Sequence, residues 1–235
     1  MGGERRIVMD FIIALSGIIM VNIVLSGDNA VVIALASRCL PPQQQKLAIL
    51  WGSAGAIVLR VILTIAAVAL LQIPYLQFIG GILLVWIAAK LLLEEEHGKE
   101  LDASDSLWTA VKTIIIADIV MSLDNTLAIA AIAKGDYALL VIGLGLSMPL
   151  IIFGSQLLVA LMSKFPLIVY AGSGLIAWTA GEMVVHDSEL GHYSTSFTPE
   201  WVVPMVITVA VLAYGLRQKK FQKEEEALDK EKGSQ

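Results

Sequence analysis

The chain has 235 residues, 57% hydrophobic and 16% charged, with a net charge of −5 at pH 7. Soluble domains carry about 45–50% apolar and about 25% charged residues, so this composition excludes an ordinary soluble enzyme. The absence of a basic stripe argues against a nucleic-acid role, and a single cysteine, Cys39, excludes an internal disulfide or a thiolate metal cluster within one chain.

The charges are clustered, and between the clusters run apolar stretches near the roughly 20 residues that a spanning helix needs. In chain order, the first is Ile7–Ala36, too long for a signal-peptide core and expected to stay as a span. Pro41 and Pro42 separate it from Leu47–Leu71, which holds the small-residue run Gly52–Ala56 and a lone Arg60. Pro74 precedes Tyr75–Leu93, and an acidic loop from Glu94 to Leu107 leads to Val111–Ala133. Gly135-Asp136 and Pro166 then punctuate Tyr137–Met162 and Phe165–Val185, and Trp201–Leu216 comes last. The expected fold is an all-α polytopic membrane protein of seven transmembrane helices. Its transporter domain is 1–217, and 218–235 is a charged cytoplasmic tail, disordered or a fraying helix.

Lys and Arg near the span ends set the orientation. One face receives Arg5, Arg6 and Lys134, the other ten basic residues including Arg38, Lys46, Lys90 and Lys112. The more basic face is expected in the cytoplasm of a bacterial cell membrane, with the N-terminus outside and the C-terminus inside.

An internal repeat is the most informative feature. Asn22–Arg38 and Asp118–Lys134 share seven identities in seventeen positions, and Pro74, Gly80, Trp86 and Ala88 fall opposite Pro166, Gly172, Trp178 and Ala180. Residues 7–93 and 111–185 thus read as two copies of a three-helix unit, with 201–216 outside them as a support or dimer contact. An odd number of spans per unit forces the second copy upside down, the plan of many secondary transporters that bind substrate at the midplane between repeats.

Asp28, Arg60, Asp118 and Asp124 lie well inside these spans. Each costs about 2.5–3.5 kcal/mol at a helix centre, about 10–14 kcal/mol together before compensation. Packing has no use for such a penalty, whereas a polar cavity does. At 3.6 residues per turn, Asn22, Ser26 and Asn29 share one helix face, as do Asp118, Ser122 and Asn125. Gly27 permits a local break at Ser26–Gly27 that brings Asp28 and loose carbonyls to the same place; Leu123, its mate, is less permissive. The available ligands are carboxylates, amides, hydroxyls and backbone oxygens, a hard set suited to Mg²⁺, Ca²⁺ or Mn²⁺. The proposed metal set is Asp28, Asn29, Asp124, Asn125, Asp118 and Asn22, with Ser26, Ser122, Arg60 and Glu182 in support. Asp118 lacks a carboxylate mate and is free to titrate or to pair with Arg60. The bland alternative is that these groups make only interhelical hydrogen bonds, worth about 1 kcal/mol each.

The motifs Ser26-Gly-Asp28-Asn29-Ala and Ser122-Leu-Asp124-Asn125-Thr resemble those of the TerC family, in particular its YjbE-like bacterial branch, over roughly residues 8–217. The resemblance implies a metal-ion transporter, with manganese export the best-attested activity; other members are linked to metal supply for exported proteins or to tellurium resistance. Its motif residues carry over to Asp28, Asn29, Asp124 and Asn125. No resident cofactor is expected, the cation being substrate, and no ATP-binding motif appears, so transport is expected to be secondary or passive. The lipid bilayer, a homodimer and the secretion machinery are compatible partners. Two other classes fit the paired acids less well: an intramembrane aspartyl protease and a non-transporting membrane partner of the secretion machinery.

Overall fold

Long apolar stretches in lipid must satisfy their backbone groups internally, and helices do so within one segment. The computed structural model describes residues 2–70, 73–93, 103–133, 136–187 and 199–232. Within its helices the side chains of 2–8, 10, 24–25, 67–69, 103–106, 124, 127–128, 130 and 222–232 lie outside that description. So, therefore, do the side chains of Arg5, Arg6 and Asp124, most of the acidic loop, Lys134, and the segment with Glu189 and His192.

Eight helices and no strand occur among the described residues: α1 (Gly2–Leu25), α2 (Gly27–Ser37), α3 (Pro42–Leu70), α4 (Leu76–Leu93), α5 (Ala103–Ala133), α6 (Tyr137–Lys164), α7 (Leu167–His186) and α8 (Val202–Lys232). Five of them, α3, α4, α6, α7 and α8, are long and apolar enough to cross a membrane, and the pair α1–α2, bent by 47°, makes a sixth. α5, at 31 residues, stands outside that count. Large apolar side chains point outward along the bundle, among them Met20, Val58, Phe153 and Leu167. Such a surface suits lipid rather than water.

Small residues set the helix contacts, as expected where apolar burial gives no advantage over lipid. α3 lies along α5, and α6 lies along α1 and α2. A Cβ on Gly52 of α3 would stand 2.8 Å from Ile114 Cδ1 of α5, and one on Gly143 of α6 would stand 2.5 Å from Ile18 Cγ2 of α1. α4 pairs with α7, where a Cβ on Gly81 would sit 2.7 Å from the Ala180 carbonyl oxygen. α2 touches α7, and α4 touches α5. α8 packs on α7 through Gly181 against Pro204 and on α4 through Gly215 against Leu92.

The apolar core has two main parts. The larger joins α2, α4, α5 and α7 through residues such as Leu35, Leu84, Ile114 and Ile176. The smaller joins α1, α5 and α6 through Ile18, Ile129, Leu140 and Leu144. Along α1–α2 the stretch Asn22–Asn29 falls between Ile18 of the smaller core and Val32 of the larger. The polar residues of the next section are held there, walled by apolar side chains on both sides.

Candidate cation site

α1 ends at Leu25, and Ser26, at φ −107° and ψ 11°, turns the chain before α2 starts at Gly27. The sequence expectation of a break at Ser26–Gly27 is met, and α5 runs unbroken through the matching Ser122-Leu123-Asp124-Asn125. A helix start leaves N–H groups without helical partners. Asp28 lies in the first turn of α2, where its Oδ1 accepts the Asn29 N–H at 2.8 Å and its negative charge suits the positive helix end.

Asn29 is 3% exposed, and among the described residues neither its Nδ2 nor its Oδ1 has a partner. An unpaired buried polar group costs about 1–3 kcal/mol, and packing supplies no reason for it. The side chain at this break is therefore ready to bond something small that brings its own donors or accepts oxygen ligands.

One turn or two away sits the cluster around Arg60 of α3, which is 2% exposed. Arg60 Nη2 donates to Asp118 Oδ1 at 2.5 Å in an ion pair, and Nε donates to Ser122 Oγ at 3.0 Å. Nη1 donates to Asn22 Oδ1 at 2.6 Å and to Ser26 Oγ at 2.7 Å. Ser26 Oγ donates to Asn22 Oδ1 at 3.2 Å, and Ser122 Oγ donates to Asp118 Oδ2 at 3.3 Å. These last two bonds have the same form, each spanning four residues, one across the end of α1 and one on α5. One guanidinium therefore bridges two equivalent Ser-plus-acid-or-amide pairs. Its rigid fork of donors fits this better than an ammonium would.

Asn22 Nδ2 donates to Ser147 Oγ of α6, and Ser147 Oγ donates to the Leu144 carbonyl at 2.7 Å. Ser147 was not among the residues singled out from sequence. Its one signal was a hydroxyl two residues before Pro149, which lies inside α6 and has no N–H for the ladder.

The structure thus brings together Asn22, Ser26, Ser122, Asp118 and Arg60, and Asp28 follows two residues after Ser26. Of the two options open to Asp118, pairing with Arg60 is the one adopted. Asn22 and Asp118, expected as cation ligands, here give oxygens to Arg60. Asn125 is half-buried on α5. Glu182 is not brought to the cluster: it is exposed on α7, and its Oε1 accepts from Trp178 Nε1 at 2.9 Å. Lys90 stands 5.5 Å over the Trp86 ring near the end of α4, in keeping with an interfacial role. Among the described residues no group of three or more His, Cys, Asp or Glu is placed to hold a metal. Any cation here relies on isolated carboxylates with amide, hydroxyl and backbone oxygens. That donor set is hard in character.

Comparison with known proteins points to one family. The chain matches the Integral membrane protein TerC family over residues 8–226. It is similar to the uncharacterized membrane protein YjbE of Bacillus subtilis (strain 168), 47% identical over 202 residues that cover 86% of this chain and 92% of that one. The uncharacterized membrane protein YkoY of the same organism is 27% identical, covering 69% of this chain and 56% of its own. The inner membrane protein YgdQ of Escherichia coli (strain K12) is 31% identical over 159 residues, covering 58% and 66%. No solved structure matches.

Proposed function

The chain belongs to the TerC family of integral membrane proteins, and on that premise we propose that it is a secondary transporter exporting a divalent cation, Mn²⁺ first, by alternating access. The observation that carries this reading is Asn29, whose buried amide has no partner among the described residues at a helix break beside Asp28. Asp28 and Asn29 form one half-site. Asp124 and Asn125, at the matching place on α5, form the other. Two carboxylates balance one doubly charged ion, and amide and backbone oxygens complete a hard ligand set.

In this reading seven spans cross the membrane and two three-helix units are related by inversion. The helix pairing supports it. The middle helix of each unit packs on the first helix of the other, and the third helices pair with each other. The glycine contacts agree, because Ile18 and Ile114, met by Gly143 and Gly52, are equivalent in the repeat, each four residues before Asn22 or Asp118. Rocking of one unit against the other then opens the shared site to either side in turn. In this reading the excess of basic residues puts Arg38 and Lys46 on the cytoplasmic side, and seven spans put the two termini on opposite faces.

Mn²⁺ flux into or out of proteoliposomes containing the full chain tests the proposal. Wild-type protein is expected to carry Mn²⁺, and Asp28→Asn or Asp124→Asn to lower the flux by at least about tenfold, the loss of one charged ligand being worth more than a neutral hydrogen bond. Unchanged flux in both variants contradicts the site. Cleavage of a membrane peptide that requires both acids, without flux, favours the protease reading instead.

A further inference from the structure

Arg60 has no place in the simple picture of a symmetric cation site. The repeat sets it opposite the α6 stretch Ile152–Gln156, which holds no Lys or Arg, so only one copy carries a cation here. Yet its guanidinium bonds to equivalent residues of both copies, Asn22 and Ser26 from one and Asp118 and Ser122 from the other. Its side chain is almost fully buried, as is that of Asp118. The oxygens it occupies belong to the same hard class a divalent cation prefers, and Ser26, which it holds, lies two residues before Asp28 at the start of α2. A divalent ion held at Asp28 and Asn29 therefore sits next to a fixed positive charge that competes for the neighbouring oxygens.

We propose that Arg60 is a tethered cation that sets the affinity and the release of the transported ion. The inference rests on the cation-transport reading above and deepens it. Conduction and transport require binding strong enough to capture an ion and weak enough to let it go. Two or more carboxylates in a low-dielectric site bind a divalent ion tightly, and the resident guanidinium offsets part of that attraction. Asp118 neutralises Arg60 in turn, so the ion's affinity follows the net charge of the Arg60–Asp118 pair. Arg60 also joins the two copies, and movement of one against the other must loosen its four-way contact.

The test is Mn²⁺ binding by titration calorimetry to the purified full chain, with flux in proteoliposomes alongside. Four variants form the set: Arg60→Gln, Asp118→Asn, the double Arg60→Gln/Asp118→Asn, and Arg60→Lys. Arg60→Gln removes the competing charge and is expected to tighten Kd by at least about tenfold, the order a nearby unit charge exerts in a partly screened interior. KM should fall and kcat should fall with it, because release slows. Asp118→Asn is expected to weaken Kd by a similar factor, and the double variant to return it to within about threefold of wild type on the same charge argument. Arg60→Lys, which keeps the charge and loses the fork, should also stay near wild type.

A folded Arg60→Gln with unchanged or weaker Kd overturns the proposal. Where that variant does not fold, the other pair decides. Weak binding by Asp118→Asn that removal of Arg60 fails to restore assigns these residues a ligand or scaffold role, and overturns it equally. Absence of Mn²⁺ binding and flux in the wild-type protein sinks the transport reading itself, an outcome separable from any of these.

Discussion

Asp118→Ala is the sharpest perturbation of the buried cluster. It leaves Arg60 Nη2 without its ion-pair partner and takes the acceptor from Ser122 Oγ, while the bonds from Arg60 to Ser122, Asn22 and Ser26 remain. Removing one member of a buried pair typically costs about 3–5 kcal/mol because the other charge is left uncompensated. Arg60 is 2% exposed, so little solvent relieves it, and a loss of about 3–5 kcal/mol is expected on the same ground. The double variant Arg60→Met/Asp118→Leu removes both charges and fills similar volume. It should lie within about 1 kcal/mol of wild type or above it, since paired hydrophobic replacement is often neutral or stabilising. Equilibrium unfolding in mixed micelles, followed by far-UV circular dichroism and Trp fluorescence, reads both. A single variant as stable as wild type, or a double variant less stable than the single, refutes the claim that burial and pairing govern this cluster.

Three other outcomes follow from particular contacts. Asn29→Ala deletes a buried amide that bonds nothing among the described residues, so stability should hold or rise by up to about 1–3 kcal/mol while Mn²⁺ flux drops; a stability loss larger than that of an ordinary core truncation counts against a ligand role. Gly143→Val drives side-chain atoms into Ile18 and should cost about 1–3 kcal/mol of overpacking, with recovery in Gly143→Val/Ile18→Ala; thermal denaturation in detergent measures both. Cys39, the single cysteine, is exposed beside Arg38 at the end of α2. A membrane-impermeant maleimide should label it in inside-out vesicles and not in right-side-out cells, and the reverse pattern overturns the orientation taken from the basic residues.

Much of this architecture was legible from residue pattern. The helix class and the approximate spans follow from apolar runs bounded by Pro41-Pro42, Pro74 and Pro166, because lipid leaves a chain few other ways to satisfy its backbone. Gly27 pointed to the break, since a residue without Cβ is the natural place for a helix to turn, and the less permissive Leu123 lies within an unbroken helix. The repeat also grouped Asn22 with Asp118 and Ser26 with Ser122 before any distance was known.

Arg60 as a hub was harder to see. In sequence it is one cation in one apolar span, and nothing in spacing says that its fork reaches two other helices. That follows from α3 packing along α5 with Gly52 and Gly55 allowing close approach to Ile114 and Ile115. Ser147 was missed for a related reason, because a lone hydroxyl in an apolar helix usually bonds its own backbone, as this one also does. Glu182 was expected in a supporting role, but its direction on α7 depends on packing that sequence alone does not fix.

Whether two acidic half-sites hold a single ion is decided most directly by counting it. Equilibrium binding of Mn²⁺ to purified protein, followed through loss of the free-ion electron paramagnetic resonance signal, should give one ion per chain. Asp28→Asn and Asp124→Asn should each abolish that ion rather than halve the count. Full binding in either variant, or one independent ion per motif, contradicts a shared site between the two copies.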